Sequence, residues 1–339
     1  MRRVPRLKDV ARRAGVSTAT ASRVINNTSH VSEANRRKVL RAIQRINYLP
    51  NAHARTLASG RSNLIGLLIS DITNPFFPEL VKSIEAAAFE HGFEVLLSNT
   101  NYDPDRLAGY ARRFIEREVA GVALMATEFD AKVVSGLANR NVSLVFLDVG
   151  TVGARTSNIV VDYDSGIGEA VEHLVTLGHR DVAYVGGPAR LLSALRRREG
   201  FERAMAHCVG EGQPLALYEG DFRLEGGRRA AREMLGAQRL PTAVVVANDM
   251  MALGVMQECQ VAGLHVPRDI SVVGFDDIAF ARLADPPLTT VSLAREDLGR
   301  RVVEALLAGL SGPSGVEIVV PTRLVRRGST ASPAHAGRL

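Results

Sequence analysis

Leu7, Val10, Ala11 and Ala14 recur at i, i+3, i+4 and i+7, the spacing of one apolar stripe on a short helix. Gly15 follows, and a residue without Cβ can turn the chain through positive φ. Ser17 suits the N-cap of a second helix running to about Ile25, with Val16, Ala21 and Val24 turned inward. A third helix is expected from Ser32, with Glu33 at the positive end of its dipole and Val39, Leu40, Ile43 and Ile46 on its buried side. Pro50 ends it, because proline lacks the N–H and clashes with the preceding turn. Beyond Leu64 the pattern changes. Short apolar runs (64–70, 93–98, 121–125, 143–147, 182–185, 243–247 and 271–275) alternate with amphipathic stretches such as Leu80, Ile84, Ala87, Ala88 and Leu174, Leu177. Near-continuous apolar strands separated by helices predict parallel sheets covered on both faces. The runs divide near Asp162–Ser165, so two doubly wound subdomains with a cleft between them are expected. Ligands in such folds bind outside the carboxyl ends of the strands.

Charge then separates the helical head from the α/β body. Residues 1–61 carry fourteen Lys and Arg against two acids, Asp9 and Glu33, a net +12 that leaves −6 for the remainder. A cationic head on an acidic body is built to meet a polyanion. Helix, glycine-containing turn, helix and bracing helix is the helix-turn-helix layout, in which the second helix enters the major groove of double-stranded DNA. Thr18 and Ala19 would face base edges, and Arg23 is long enough to reach guanine O6 and N7. Ser17, Thr20, Ser22 and Asn26 are short donors suited to phosphate oxygens, which fix register without reading sequence.

Composition excludes several classes. At 46% hydrophobic residues the chain can fill sizeable cores. Its longest apolar runs fall far short of the ~20 residues a membrane span needs, and the N-terminus has no apolar export region. A cytoplasmic, nucleoid-associated protein is the expectation. Two cysteines, Cys208 and Cys259, are too few for a disulfide framework or a four-cysteine zinc site. No nucleotide-binding glycine loop, nucleophile elbow or zinc-protease motif appears, so no cofactor, metal or catalytic residue is expected. His173 and His179 read as surface or capping residues.

The run from Leu7 to Ser17, the stretch Ser22 to Asn26, His30-Val31-Ser32 and Asn47 to Asn51 closely resemble the lactose-repressor (LacI/GalR) family. One departure is Arg6, where the family commonly places a capping Ser or Thr, a change worth ~1 kcal/mol of helix cap. The resemblance implies that His30 adds a contact to the DNA backbone. It also implies that residues 51–61 form a hinge helix whose Leu57 wedges between base pairs in the minor groove. A segment that short is not stably helical in water alone and can order on binding.

The body is similar to the family's sugar-sensing domain, itself like periplasmic sugar-binding proteins. By that similarity Asp148, Arg197, Asn248 and Asp276 correspond to a polar fence around an effector, with Phe76 and Phe222 as apolar faces for a ring. Carboxylates accept from vicinal hydroxyls, while Arg and Asn bridge neighbouring oxygens. Two departures bear on the ligand. Arg295 stands where the lactose-type pocket carries an aromatic, which admits an acidic or phosphorylated sugar. Purine-type members place an arginine near Leu191, which is itself apolar, with Arg190 just before it.

The organisation expected is a helix-turn-helix domain over residues 1–50 and a hinge over 51–61, then an effector and dimerisation domain over 62–330. Its first subdomain takes 62–162 and 292–320, its second 163–291 and 321–330, and a disordered tail follows over 331–339. The leucine heptads that tetrameric members append are missing, so a homodimer on a pseudo-palindromic operator is expected. The function implied is an effector-controlled transcriptional regulator, a repressor, responding to a carbohydrate. Two other classes compete: a cytoplasmic α/β enzyme with an accidental basic head, and an exported solute receptor.

Overall fold

The computed structural model describes residues 5–25, 31–48, 62–126, 136–137, 142–148, 151–212 and 214–333. Two units emerge, Met1–Asn63 and Leu64–Leu339.

In the first unit three helices form, α1 (Leu7–Ala14), α2 (Thr18–Ile25) and α3 (Glu33–Ile46). Arg6 offers α1 no side-chain cap, but its backbone N–H donates to Asp9 Oδ2 at 2.9 Å, which settles one free end group. Gly15 closes α1 at φ 65°. Ser17 caps α2 as expected, its Oγ accepting from the Thr20 N–H at 3.1 Å. Val10, Ala11, Ala14, Ala21, Val24, Val39 and Ala42 make the core. Leu40 departs from the expected buried side: it is 47% exposed, because α3 turns Val39 and Ala42 inward instead.

The second unit holds two six-stranded sheets. The first takes β1 (Leu64–Ile69), β2 (Glu94–Asn99), β3 (Gly121–Met125), β4 (Ser143–Leu147), β5 (Thr156–Val161) and β11 (Glu317–Val320), ordered β11-β5-β4-β3-β1-β2 and parallel throughout. The second takes β6 (Val182–Gly186), β7 (Leu217–Glu219), β8 (Ala243–Val246), β9 (Ser271–Asp276), β10 (Thr289–Leu293) and β12 (Thr322–Val325), ordered β12-β10-β9-β8-β6-β7. Only its β10–β12 pair is antiparallel.

Central strands are buried on both faces, which explains why they read as unbroken apolar runs. Alternation by two divides them between cores: Ile65, Leu67, Ile69, Ala123 and Met125 enter one cluster, while Leu68, Val122 and Leu124 enter another with Leu107 and Phe114.

Helices α4 (Phe76–Glu90), α5 (Pro104–Glu116) and α11 (Arg295–Ser311) contact the first sheet. With the second go α6 (Tyr163–Thr176), α7 (Leu192–Val209), α8 (Leu224–Leu235) and α9 (Asp249–Val261), and the short α10 (Ala279–Leu283) follows β9 in the chain. Gly227 lets α8 and α9 meet backbone to backbone, since a Cβ there would strike the carbonyl and Cα of Met251. Among the described residues, no helix is long and apolar enough to cross a membrane.

The chain passes between subdomains after β5, after β10 and between Val320 and Thr322. The second passage follows Leu293, next to Ser292. The tail also differs from expectation. Ser329 is buried and exchanges backbone and side-chain hydrogen bonds with Val272, while Ala331 N–H donates to Ser271 Oγ at 3.1 Å. His173 and His179, expected at the surface or as caps, instead hold this segment: His173 Nε2 meets Thr330 Oγ1 at 2.9 Å and His179 Nε2 meets the Ala331 carbonyl at 2.8 Å. Residues 331–333 are therefore ordered, and 334–339 lie outside the described residues.

Candidate functional site

In the helical unit, Ser17, Thr18, Ala19 and Arg23 are exposed, and Thr20 and Ser22 are half-buried. The Ser17 hydroxyl is 2.9 Å from that of Thr20, so α2 presents a hydrogen-bonded pair of small hydroxyls at its N-terminal end. A helix N-terminus with short donors and unpaired N–H groups attracts phosphate. Asn26, His30 and Leu57, with the whole hinge, lie outside the described residues.

In the α/β unit Phe76, Asp148, Arg197, Phe222, Asn248 and Asp276 line one cavity, which Phe77, Tyr102, Tyr163 and Ser193 also line. Asp148 follows β4, Phe222 comes shortly after β7, Asn248 follows β8 and Asp276 ends β9. Asp148, Phe222 and Asp276 all take positive φ, at 68°, 65° and 112°. Non-glycine residues rarely accept that conformation, and where they do the surroundings hold a side chain in a set direction.

Buried charges fill the centre. Asp148 accepts from the Tyr163 hydroxyl at 2.6 Å and the Val161 N–H at 2.9 Å, with the Arg196 guanidinium at 3.5 Å. Burial raises its pKa above the usual carboxylate range, and these partners offset only part of that. Burial likewise pushes Asp276 up to about 6, against the opposing pull of Arg197 and Arg295. Arg197 donates to Asp276 Oδ1 at 3.3 Å and to the Ala247 carbonyl, and its guanidinium carbon stands 4.1 Å from the Phe275 ring centroid. Burial disfavours its charge, but Asp276 and Tyr163 outweigh that and raise its pKa, so it stays a cation. Asn248 is a structural strut as well as a lining residue: its Oδ1 caps α9 through the Met251 N–H, and its Nδ2 donates to the Phe222 carbonyl at 2.9 Å.

Several groups of the site escape the strand-end rule. Tyr163 opens α6 instead of ending a strand, and Arg196 lies inside α7. Arg223 reaches across the cleft to Asp71 Oδ2 at 3.1 Å and Asn101 Oδ1 at 2.8 Å, tying the second subdomain to the first. Burial alone would raise the Asp71 pKa, but hydrogen bonds from Thr73 and Arg223 bring it below the ordinary value. Arg295 does not enter the cavity as expected. It is spent on Glu79 Oε2 at 2.7 Å and on the carbonyls of Asp276 and Asp277.

The cavity measures about 50 Å³, room for a water or two. A molecule larger than that needs the side chains lining the cleft, or the subdomains that carry them, to move apart. Among the described residues, no cluster of His, Cys, Asp and Glu could hold a metal.

Residues 6–51 match the profile of bacterial regulatory proteins of the lacI family, and residues 171–330 match a periplasmic binding protein-like domain. The HTH-type transcriptional repressor PurR of Aliivibrio salmonicida is 34% identical over 302 residues, spanning 89% of this chain and 91% of that protein. The crystal structure of the lac repressor dimer bound to operator and the anti-inducer ONPF superposes with a TM-score of 0.87 at 34% identity, covering 97% of this chain and all of that one. The complex of the transcriptional regulator CelR with cellobiose gives 0.70 at 30% identity, covering 96% and 99%.

Proposed function

The chain belongs to the lacI family of bacterial regulatory proteins and is a DNA-binding transcriptional repressor rather than an enzyme, and on that footing we propose that a sugar or sugar derivative, held in the cleft, sets its affinity for a pseudo-palindromic operator. It acts in the cytoplasm as a homodimer, each chain reading one half-site. On DNA, Thr18 and Ala19 face base edges and Arg23 takes a guanine, while Ser17, Thr20, Ser22, Asn26 and His30 hold the backbone. Leu57 opens the minor groove at the centre of the site.

The observation that carries the effector reading is the convergence of two buried carboxylates, Asp148 and Asp276, with Arg197 between aromatic walls at the carboxyl ends of both sheets. Such carboxylates accept from neighbouring hydroxyls, and Phe76 and Phe222 cover the apolar face of a ring. Asn248 contributes through the amide atoms its strut leaves free. The cellobiose complex of CelR supports a carbohydrate. A second reading, a purine derivative, draws on the relatives named PurR; against it stands Leu191, a buried apolar residue where purine-type members place an arginine.

Because a cavity of about 50 Å³ is too small for a sugar, effector binding is linked to movement of the cleft walls. The effector acts only through unequal affinity for the two states. Thermal-shift screening of the whole protein against sugars, nucleobases and nucleosides tests the reading, since ligand at 100 times Kd stabilises by about 2.7 kcal/mol. Hits are then taken to gel shifts on operator DNA. A sugar that both stabilises the protein and changes operator affinity is the expected result. Stabilisation by purines with none by sugars replaces it with the second reading.

A further inference from the structure

Resting on the reading of the cleft as the effector site, we propose that the site takes an uncharged effector and rejects phosphate esters, uronates and nucleotides. Among the described residues, four guanidiniums in and around the cleft are each matched by a carboxylate. Arg196 faces Asp148 at 3.5 Å and Arg197 faces Asp276 at 3.3 Å. At the rim Arg223 meets Asp71 at 3.1 Å beside Tyr102, and behind the wall Arg295 meets Glu79 at 2.7 Å. Four cations therefore stand against four anions. Arg197 also spends a second donor on the Ala247 carbonyl, and Arg295 spends two on backbone carbonyls.

Most of the remaining lining (Phe76, Phe77, Met125, Leu147, Tyr163, Phe222) is apolar or aromatic and screens charge poorly, and the polar remainder, Ser70, Asn74, Ser193 and Asn248, is uncharged. An arriving phosphate must shed its water and separate one of these pairs, leaving a carboxylate buried without its cation. A hydroxyl instead donates to the free lone pairs of Asp148 or Asp276 and leaves the pairs in place.

Calorimetry of the full-length protein with inorganic phosphate tests this. Asp276→Asn and Asp148→Asn each strip one guanidinium of its carboxylate, and phosphate held by the basic head is common to all three proteins. Each variant is expected to gain one phosphate site per chain, bound roughly 10–100-fold more tightly than the wild-type cleft binds phosphate. A wild-type protein already showing that site, or folded variants that gain none, overturns the proposal.

Should neither variant fold, wild-type thermal shifts with matched pairs decide: glucose and glucose 6-phosphate, ribose and ribose 5-phosphate, adenosine and its monophosphate. A charged partner stabilising more than its parent, with the excess lost in Arg197→Ala, refutes electroneutral selection. Uncharged parents that equal or exceed their esters support it. If adenosine binds and no sugar does, the carbohydrate reading fails while this selection stands.

Discussion

Replacing Tyr163 with Phe removes one oxygen from the heart of the cleft. The ring keeps its place 5.2 Å from the Arg197 guanidinium carbon and 5.7 Å from the Phe275 ring. What goes is the 2.6 Å hydrogen bond to Asp148 Oδ2, with both residues buried. A hydrogen bond to a charged group contributes about 1.5–3 kcal/mol, and an acceptor left short of a donor in the interior adds to the loss. Asp148 still holds the Val161 N–H and faces Arg196, so the expected cost sits mid-range at ~2 kcal/mol. For a domain of this size that is a fall in Tm of about 4–8 °C. The sign with pH follows from Asp148. Burial already raises its folded pKa, and losing the Tyr163 donor raises it further. The penalty is therefore full where Asp148 is ionised in both proteins and shrinks as falling pH protonates it. Urea unfolding of wild type and variant at about pH 8 and pH 5 measures both effects. Equal stability at pH 8, or a penalty that grows in acid, refutes the assignment of this bond to an ionised Asp148.

Arg23→Ala should cost ~1–3 kcal/mol on operator DNA and relax preference at one base pair, read by gel shift across operator variants; an unchanged preference removes Arg23 from the reading surface. Burial holds the pKa of His179 below its usual value, and burial with the nearby Arg326 and His179 does the same for His173. The stability they lend is complete above pH ~6.5 and is lost as pH falls through their lowered folded values, because the unfolded chain binds protons first. Amide exchange of residues 328–333 should accelerate across that window, and a rate of opening independent of pH contradicts it. Gly227→Ala puts a Cβ against the Met251 backbone and should destabilise by at least ~1–3 kcal/mol. Calorimetric unfolding checks this, and an unchanged midpoint means that α8 and α9 separate freely.

Much of this was legible in the sequence because it depends on local rules. The stripe Leu7, Val10, Ala11, Ala14, the Ser17 cap and the buried parallel strands all follow from periodicity and end chemistry. Polar residues past strand ends located the cavity. Edge strands such as β11, where two exposed positions flank a half-buried one and only Val320 is buried, carry too weak a pattern to stand out. Arg295 was misjudged because its charge is absorbed by Glu79, more than two hundred residues away in sequence. Leu40 was misplaced because two helical phases were open to α3 and packing chose Val39 and Ala42. Tyr163 and Arg223 act through partners on the other subdomain, and spacing along the chain does not record such pairs. The ordered tail depends on two histidines whose burial only the folded sheet creates.

The late arrival of β11 has a consequence for biosynthesis. Its place is on the outer edge of β5, yet the whole second sheet except β12 is translated between them. At ribosomal speeds the roughly 150 intervening residues take about 10–30 s. Throughout that interval β5 offers a bare row of amide and carbonyl groups on a nascent polypeptide, open to mispairing with a neighbour on the same polysome. Chaperone demand during synthesis should therefore track translation rate through this stretch more closely than it tracks the stability of the finished protein.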